Sequence, residues 1–146
     1  MDKMGKNYPD NDKFRKEFEK FRADADKKMD EVINHEDDIL SKAKTGALKK
    51  ELAKVKLLMM ALKDYITGEY REIPYGTITA IVAALFYVFL PVDVIPDFIP
   101  VVGLTDDAAV VLLAWQLVQD DIRKYALWKA AKGDKEAEEL LREAFG

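Results

Sequence analysis

The chain has 146 residues, with 23 Lys+Arg against 27 Asp+Glu, no cysteine, one histidine (His35) and one serine (Ser41). That length fits one domain, or one domain with a helical extension. The composition excludes disulfides, thiolate nucleophiles, iron–sulfur clusters and cysteine-based zinc sites, and a single histidine excludes a two-histidine metal site within one chain.

Asp10 to Asn34 reads as a first helix. Phe14, Phe18, Phe21, Ala25, Met29 and Val32 form one apolar stripe on an otherwise charged surface, at spacings of three and four. The stripe fits docking on the rest of the fold; the sharper alternative is a homodimer seam along the Phe14–Phe18–Phe21 edge. The opening residues contain no apolar stretch of the kind a secretory signal carries. The expected location is therefore cytoplasmic, with peripheral attachment at the cytoplasmic membrane as the variant.

A second helix is predicted from about His35 to Thr67, with Leu40, Ala43, Ala47, Leu52, Val55, Met59, Leu62 and Ile66 on one side and Gly68 as its C-terminal cap. Thr45-Gly46 is the point at which it would break, because glycine inside a helix costs about 1 kcal/mol relative to alanine. Ser41 to Lys56 carries six lysines and one acid, Glu51. Such a segment is either a solvated lysine face or a surface for an anionic membrane or acidic partner. His35 sits beside Glu36, Asp37 and Asp38 and reads as a surface or capping residue.

Glu69 to Gly76 is a linker punctuated by Pro74 and Gly76. From Ile73 to Gln119 the sequence has no Lys or Arg and only four acids, Asp93, Asp97, Asp106 and Asp107. Within that window Thr77–Leu90 is apolar on every side and is predicted to be helical, because fourteen residues is long for a strand. Such a helix spans about 21 Å, short of a hydrocarbon core of about 30 Å, so a core helix and a shallow membrane insertion both stand. Pro91, Pro96 and Pro100, followed by Gly103, then forbid regular helix and make a rigid turn.

The next helix is predicted from Thr105 to about Lys132, with Thr105 as N-cap and Asp106 and Asp107 in the first turn, where carboxylates complement the helix dipole. Its first half should be the most buried part of the fold. Its second half should turn Trp115, Val118, Ile122 and Tyr125 inward and Asp120, Asp121, Arg123 and Lys124 outward. Gly133 ends it, and Asp134 caps a last short helix folded back by Leu140, Leu141 and Phe145. Together these elements predict an all-α bundle of about five helices around an apolar helical hairpin, with residues 1–72 as a charged amphipathic extension and 73–146 as the central helical domain.

The stretch LPVDVIPDFIPVVGLTDDAAVVL, Leu90 to Leu112, resembles the signature of the domain-of-unknown-function 1232 family, the YkvA-like proteins. The likeness covers roughly Thr77 to Trp115 and includes Pro91, Asp93, Pro96, Asp97, Pro100, Gly103, Asp106 and Asp107. The resemblance implies a family spread through bacteria, often described as membrane-associated, and brings no established chemistry with it.

Four carboxylates in fifteen residues invite a divalent-metal reading, since Mg²⁺ and Ca²⁺ take oxygen ligands. Against it, Asp106 and Asp107 diverge by about 100° on a helix, and Pro96 breaks the face that Asp93 and Asp97 would share. The competing role is structural: Asp93 and Asp97 accept backbone N–H groups in the turn, and Asp106 and Asp107 complete a helix N-terminus. A contact for a partner or lipid headgroup is the third reading. No phosphate-cradling glycine loop and no nucleophile beside a base appears. The sequence therefore points first to a non-enzymatic interaction module at or near the membrane, without a cofactor and without nucleic acid as partner. The alternative is a carboxylate-based, metal-dependent hydrolase working from Asp93–Asp107.

Overall fold

The computed structural model describes residues 28–89 and 107–146, together with Lys16. These residues form six α-helices and one 3-10 helix: α1 (Met29–Asn34), α2 (Glu36–Ala43), η1 (Gly46–Glu51), α3 (Leu52–Thr67), α4 (Tyr75–Phe89), α5 (Asp107–Ala131) and α6 (Lys135–Phe145). Among the described residues there is no strand, and the protein is an all-α bundle. The Phe14–Phe18–Phe21 edge proposed as a dimer seam lies outside the described residues.

Local sequence accounts for the breaks. His35 adopts φ −112°, closing α1 through its N–H to the Glu31 and Val32 carbonyls and opening α2 through its own carbonyl, which accepts from Ile39. The predicted helix of residues 35–67 is interrupted at Thr45-Gly46, as its glycine suggested. Gly46 has φ +64°, a conformation that L side chains rarely adopt, and the chain restarts as six residues of 3-10 helix before α3. At the far end of α3, Gly68 takes φ +87° and its N–H closes on the Tyr65 carbonyl, while Tyr70 donates to the Asp64 carbonyl. Pro74 needs no N–H at the entrance to α4, and its carbonyl receives the amides of Thr77 and Ile78. Gly133 (φ +100°) ends α5, and the Asp134 side chain accepts from Ala137 N–H at 2.8 Å to start α6.

The apolar hairpin is the centre of the fold. Eleven of the fifteen residues of α4 are buried, from Thr77 to Val88. Helices α1, α2, α3 and α5 all pack against it, and α6 folds back over α5 and α3. One hydrophobic cluster runs from Val32 through Leu58, Leu85 and Ile122 to Leu140. Trp115 meets Phe145 at 5.2 Å between ring centroids, which places the last helix as the sequence led one to expect.

Three details differ from the sequence reading. The most buried helix is α4, not the first half of α5, because α5 lies at the edge and leaves Leu112 and Leu117 more than a third exposed. On α2 the deeply buried positions are Ile39 and Ala43 rather than Leu40, and Ile66, at the end of the α3 stripe, is exposed. The break at Gly46 resets the helical phase, so one uninterrupted stripe cannot describe residues 35–67. Asp121, expected to face solvent, is half-buried and holds a contact across the hairpin.

Candidate functional site

The hairpin has two ends of different chemistry. At its closed base, Thr77 on the first turn of α4 donates its hydroxyl to Asp121 Oδ2 at 2.6 Å. Beside it lies a denser polar node. Asp64 on α3 accepts from the Tyr125 hydroxyl and from Lys129 Nζ, both on Oδ2 and both at 2.6 Å. Tyr125 and Lys129 stand four apart on α5, on the face turned to α3. Tyr70 from the α3–α4 connection completes the surround, packing edge-on to Tyr125 (5.2 Å) and against Trp128 (4.7 Å).

This geometry suits holding more than reacting. Burial first, and then the hydrogen bond to Asp64, push the Tyr125 phenol far above its usual range. Burial also raises Tyr70, helped by the negative charges of Glu72 and Asp121. Both phenols therefore keep their protons at neutral pH, and Tyr125 acts as a donor to a carboxylate that a lysine already neutralises. Asp64, Tyr125 and Lys129 tie α3 to α5, while Thr77 and Asp121 tie α4 to α5.

The other end is where the Pro/Asp segment leaves and returns. Asp93, Asp97 and Asp106, with Pro91, Pro96, Pro100 and Gly103, lie outside the described residues. Asp107 opens α5 as described, and its side chain is likewise outside them. What the structure does define is the stub from which the segment departs. Lys42 on α2 donates to the Val88 carbonyl at 2.9 Å, placing a cation on the negative end of α4. His35 stacks on Phe89 with ring centroids 4.2 Å apart, and Lys28 sits 5.0 Å over Phe86. His35 also meets Asp38 through Nδ1 at 3.2 Å, in keeping with a surface role. Three residues of the charged N-terminal part thus grip the last turn of α4. Among the described residues, no group of three or more His, Cys, Asp or Glu side chains could hold a metal ion.

The Asp64 node and the Lys42 grip were not anticipated. Their partners are separated by 46 to 65 residues and belong to no short motif. The one local signal was the Tyr125/Lys129 pair at helical spacing, whose inward tyrosine carries a hydroxyl that burial obliges to find an acceptor.

An apolar helical hairpin, covered by charged helices and interrupted by a Pro/Asp-rich segment, is the class of protein that these features define. The family model described as "Protein of unknown function (DUF1232)" matches residues 77–113, which span α4, the segment beyond it and the opening of α5. The chain is also 33% identical over 81 residues to the "Uncharacterized membrane protein YkvA" of Bacillus subtilis (strain 168), over 56% of this chain and 76% of that protein. The chain belongs to the YkvA-like, DUF1232 family. No solved structure matches it.

Proposed function

We propose that this protein is a helical, non-enzymatic interaction module that works at the cytoplasmic face of the membrane, attached peripherally and keeping its apolar hairpin as core. The observation that carries this reading is the burial of α4 inside its own chain. Eleven of its residues are already covered by α1, α2, α3 and α5, so inserting it into lipid would require those helices to peel away. No described helix is long and apolar enough to cross a membrane. The relative in Bacillus subtilis bears the name of a membrane protein, which favours a site of action at a membrane over one in bulk solution.

The test is fractionation of the full chain. Cells expressing it are lysed without detergent and centrifuged at high speed, and the pellet is washed with salt and then with carbonate. The expected result is a membrane-pelleted fraction that salt releases. Recovery only in a carbonate-resistant pellet would mean that the hairpin enters the bilayer, and the peripheral reading would fall.

A further inference from the structure

We propose that Lys44, Lys49 and Lys50, at the break between α2 and α3, are the surface by which this chain docks on an anionic phospholipid bilayer; the proposal rests on the peripheral attachment argued above. All three are exposed, and none has a side-chain partner among the described residues. Of the other lysines of the same stretch, Lys42 meets the Val88 carbonyl, Lys54 meets Glu51 at 2.8 Å and lies over the Trp115 ring, and Lys56, on α3, is half-buried. Elsewhere Lys63 pairs with Glu36, Lys129 with Asp64, and Lys132 lies over Trp128.

Backbone geometry makes the three lysines stand out together. Gly46, at φ +64°, turns the chain out of α2, and η1 follows with three residues per turn. That period puts Leu48 and Glu51 on one side, where Leu48 is buried and Glu51 is held by Lys54. Lys49 and Lys50 fall on the remaining sides, toward solvent. Six residues is long for a 3-10 helix, and it is this geometry, not a continuous α-helix, that separates the lysines from the core stripe.

Within its own stretch the lysine turn has no unpaired acid. Glu51 is the single acid between Ser41 and Lys56, and it is already neutralised. η1 packs against α5, whose residues from Ala108 to Gln119 carry no charge at all. A chain of net charge −4 therefore presents three exposed lysines within seven residues.

The residue type selects the partner. No arginine occurs in this stretch, and arginine is the side chain whose planar fork fixes a carboxylate or phosphate in one geometry. Lysines on flexible stems respond to charge density, which a leaflet of anionic headgroups supplies over its whole area. An acidic protein surface is the competing occupant, and the experiment separates the two.

The probe is vesicle co-sedimentation of the full chain, with equimolar phosphatidylglycerol and phosphatidylcholine against phosphatidylcholine alone. The parent should bind the anionic vesicles and not the neutral ones, and should be released by raised salt. At about fivefold per lysine near a charged leaflet, loss of the three positive charges alone is worth on the order of 100-fold, and the triple variant Lys44→Glu, Lys49→Glu, Lys50→Glu should lose at least that in partitioning. A control triple of equal net charge, Lys124→Glu, Lys132→Glu, Lys135→Glu on α5 and beyond it, should keep most of the binding. Both variants are checked for an unchanged thermal midpoint before binding is compared.

Equal losses in the two triples would show that overall charge and not this surface governs binding, and would overturn the proposal. So would undiminished binding by the first triple. A parent that pellets with cell membranes yet ignores anionic vesicles would point to a protein partner, defeating the lipid proposal and leaving the peripheral reading intact. A parent found neither with cell membranes nor on vesicles would defeat both.

Discussion

Removing Asp64 should be among the most damaging single changes at a polar position in this fold. The carboxylate is about one-seventh exposed (14%) and Lys129 about a quarter (23%), while Tyr125 is fully buried. In Asp64→Ala the Tyr125 hydroxyl loses its acceptor, and an unsatisfied buried hydroxyl costs ~1–3 kcal/mol. The stranded Lys129 costs less than the ~3–5 kcal/mol of a fully buried broken pair, because its exposed portion can turn toward water. Together the loss should be about 2–4 kcal/mol, a fall of roughly 5–15 °C in Tm for a chain of this size. Tyr125→Phe leaves Asp64 paired with Lys129 and should cost only ~1–1.5 kcal/mol. Urea denaturation of the two single variants and of the Lys129→Met, Tyr125→Phe double-mutant cycle measures these terms, and the cycle should be clearly non-additive because both donors share one oxygen. The pH dependence has a definite sign. Tyr125 and Tyr70 are raised in the folded state, so their contribution is fully present below the ordinary tyrosine range near 10 and declines as pH rises through it. The parent should therefore lose stability above about pH 10 more steeply than Tyr125→Phe. An Asp64→Ala protein within about 0.5 kcal/mol of the parent would refute the stabilising role of the Asp64 node, since surface changes of no consequence fall in that range.

Thr77→Val keeps the shape of the α4 first turn but leaves half-buried Asp121 without its hydroxyl donor, and should cost about 1–2 kcal/mol by chemical denaturation. Lys42→Met keeps the stem and removes the ammonium from the Val88 carbonyl at the end of α4. A loss of about 1–2 kcal/mol is expected, and an unchanged denaturation midpoint would show that the grip adds nothing to stability.

How much of this was readable in advance follows from the range over which each feature is determined. Gly68, Gly133 and Asp134 act within one helical turn, and each is where a local rule places it. The helical hairpin was legible because Thr77–Leu90 is too long and too uniformly apolar for a strand in this setting. Which helix is central was not legible, since α4 and the first half of α5 have similar composition. Leu112 and Leu117 are more than a third exposed, on a side of α5 that no other described helix covers fully. Asp121 looked like an outward member of a charged face, yet the facing residue is Thr77, 44 positions earlier, and only the antiparallel pairing of α4 with α5 brings them together. The lysine-rich stretch was visible as composition. Its division into engaged Lys42 and Lys54, half-buried Lys56, and exposed Lys44, Lys49 and Lys50 depends on the turn at Gly46, whose sign of φ no periodicity encodes. The four aspartates of the motif belong to residues 90–106 and the side chain of Asp107, so their assignment stands as it did in the sequence.

The region that defines the family and the region that stabilises it are not the same stretch of chain. The family match, residues 77–113, supplies α4 and the start of α5, two apolar surfaces that cannot be left facing water. Their cover comes from outside it. Val32, Ile39 and Ala43 on α1 and α2, Val55 to Leu62 on α3, and Leu140 on α6 join the same hydrophobic cluster. The polar ties have the same origin, with Lys42 reaching the end of α4 and Asp64 holding α5. A buried apolar helix gives little purchase for selection on the identity of its cover, because hydrophobic residues of about the right volume and pattern suffice. Covering helices can therefore vary while the hairpin and its Pro/Asp segment stay recognisable. The 81-residue likeness to the Bacillus subtilis relative is longer than the family match, so part of the cover is shared with that protein. The lysine turn lies in this cover, outside residues 77–113.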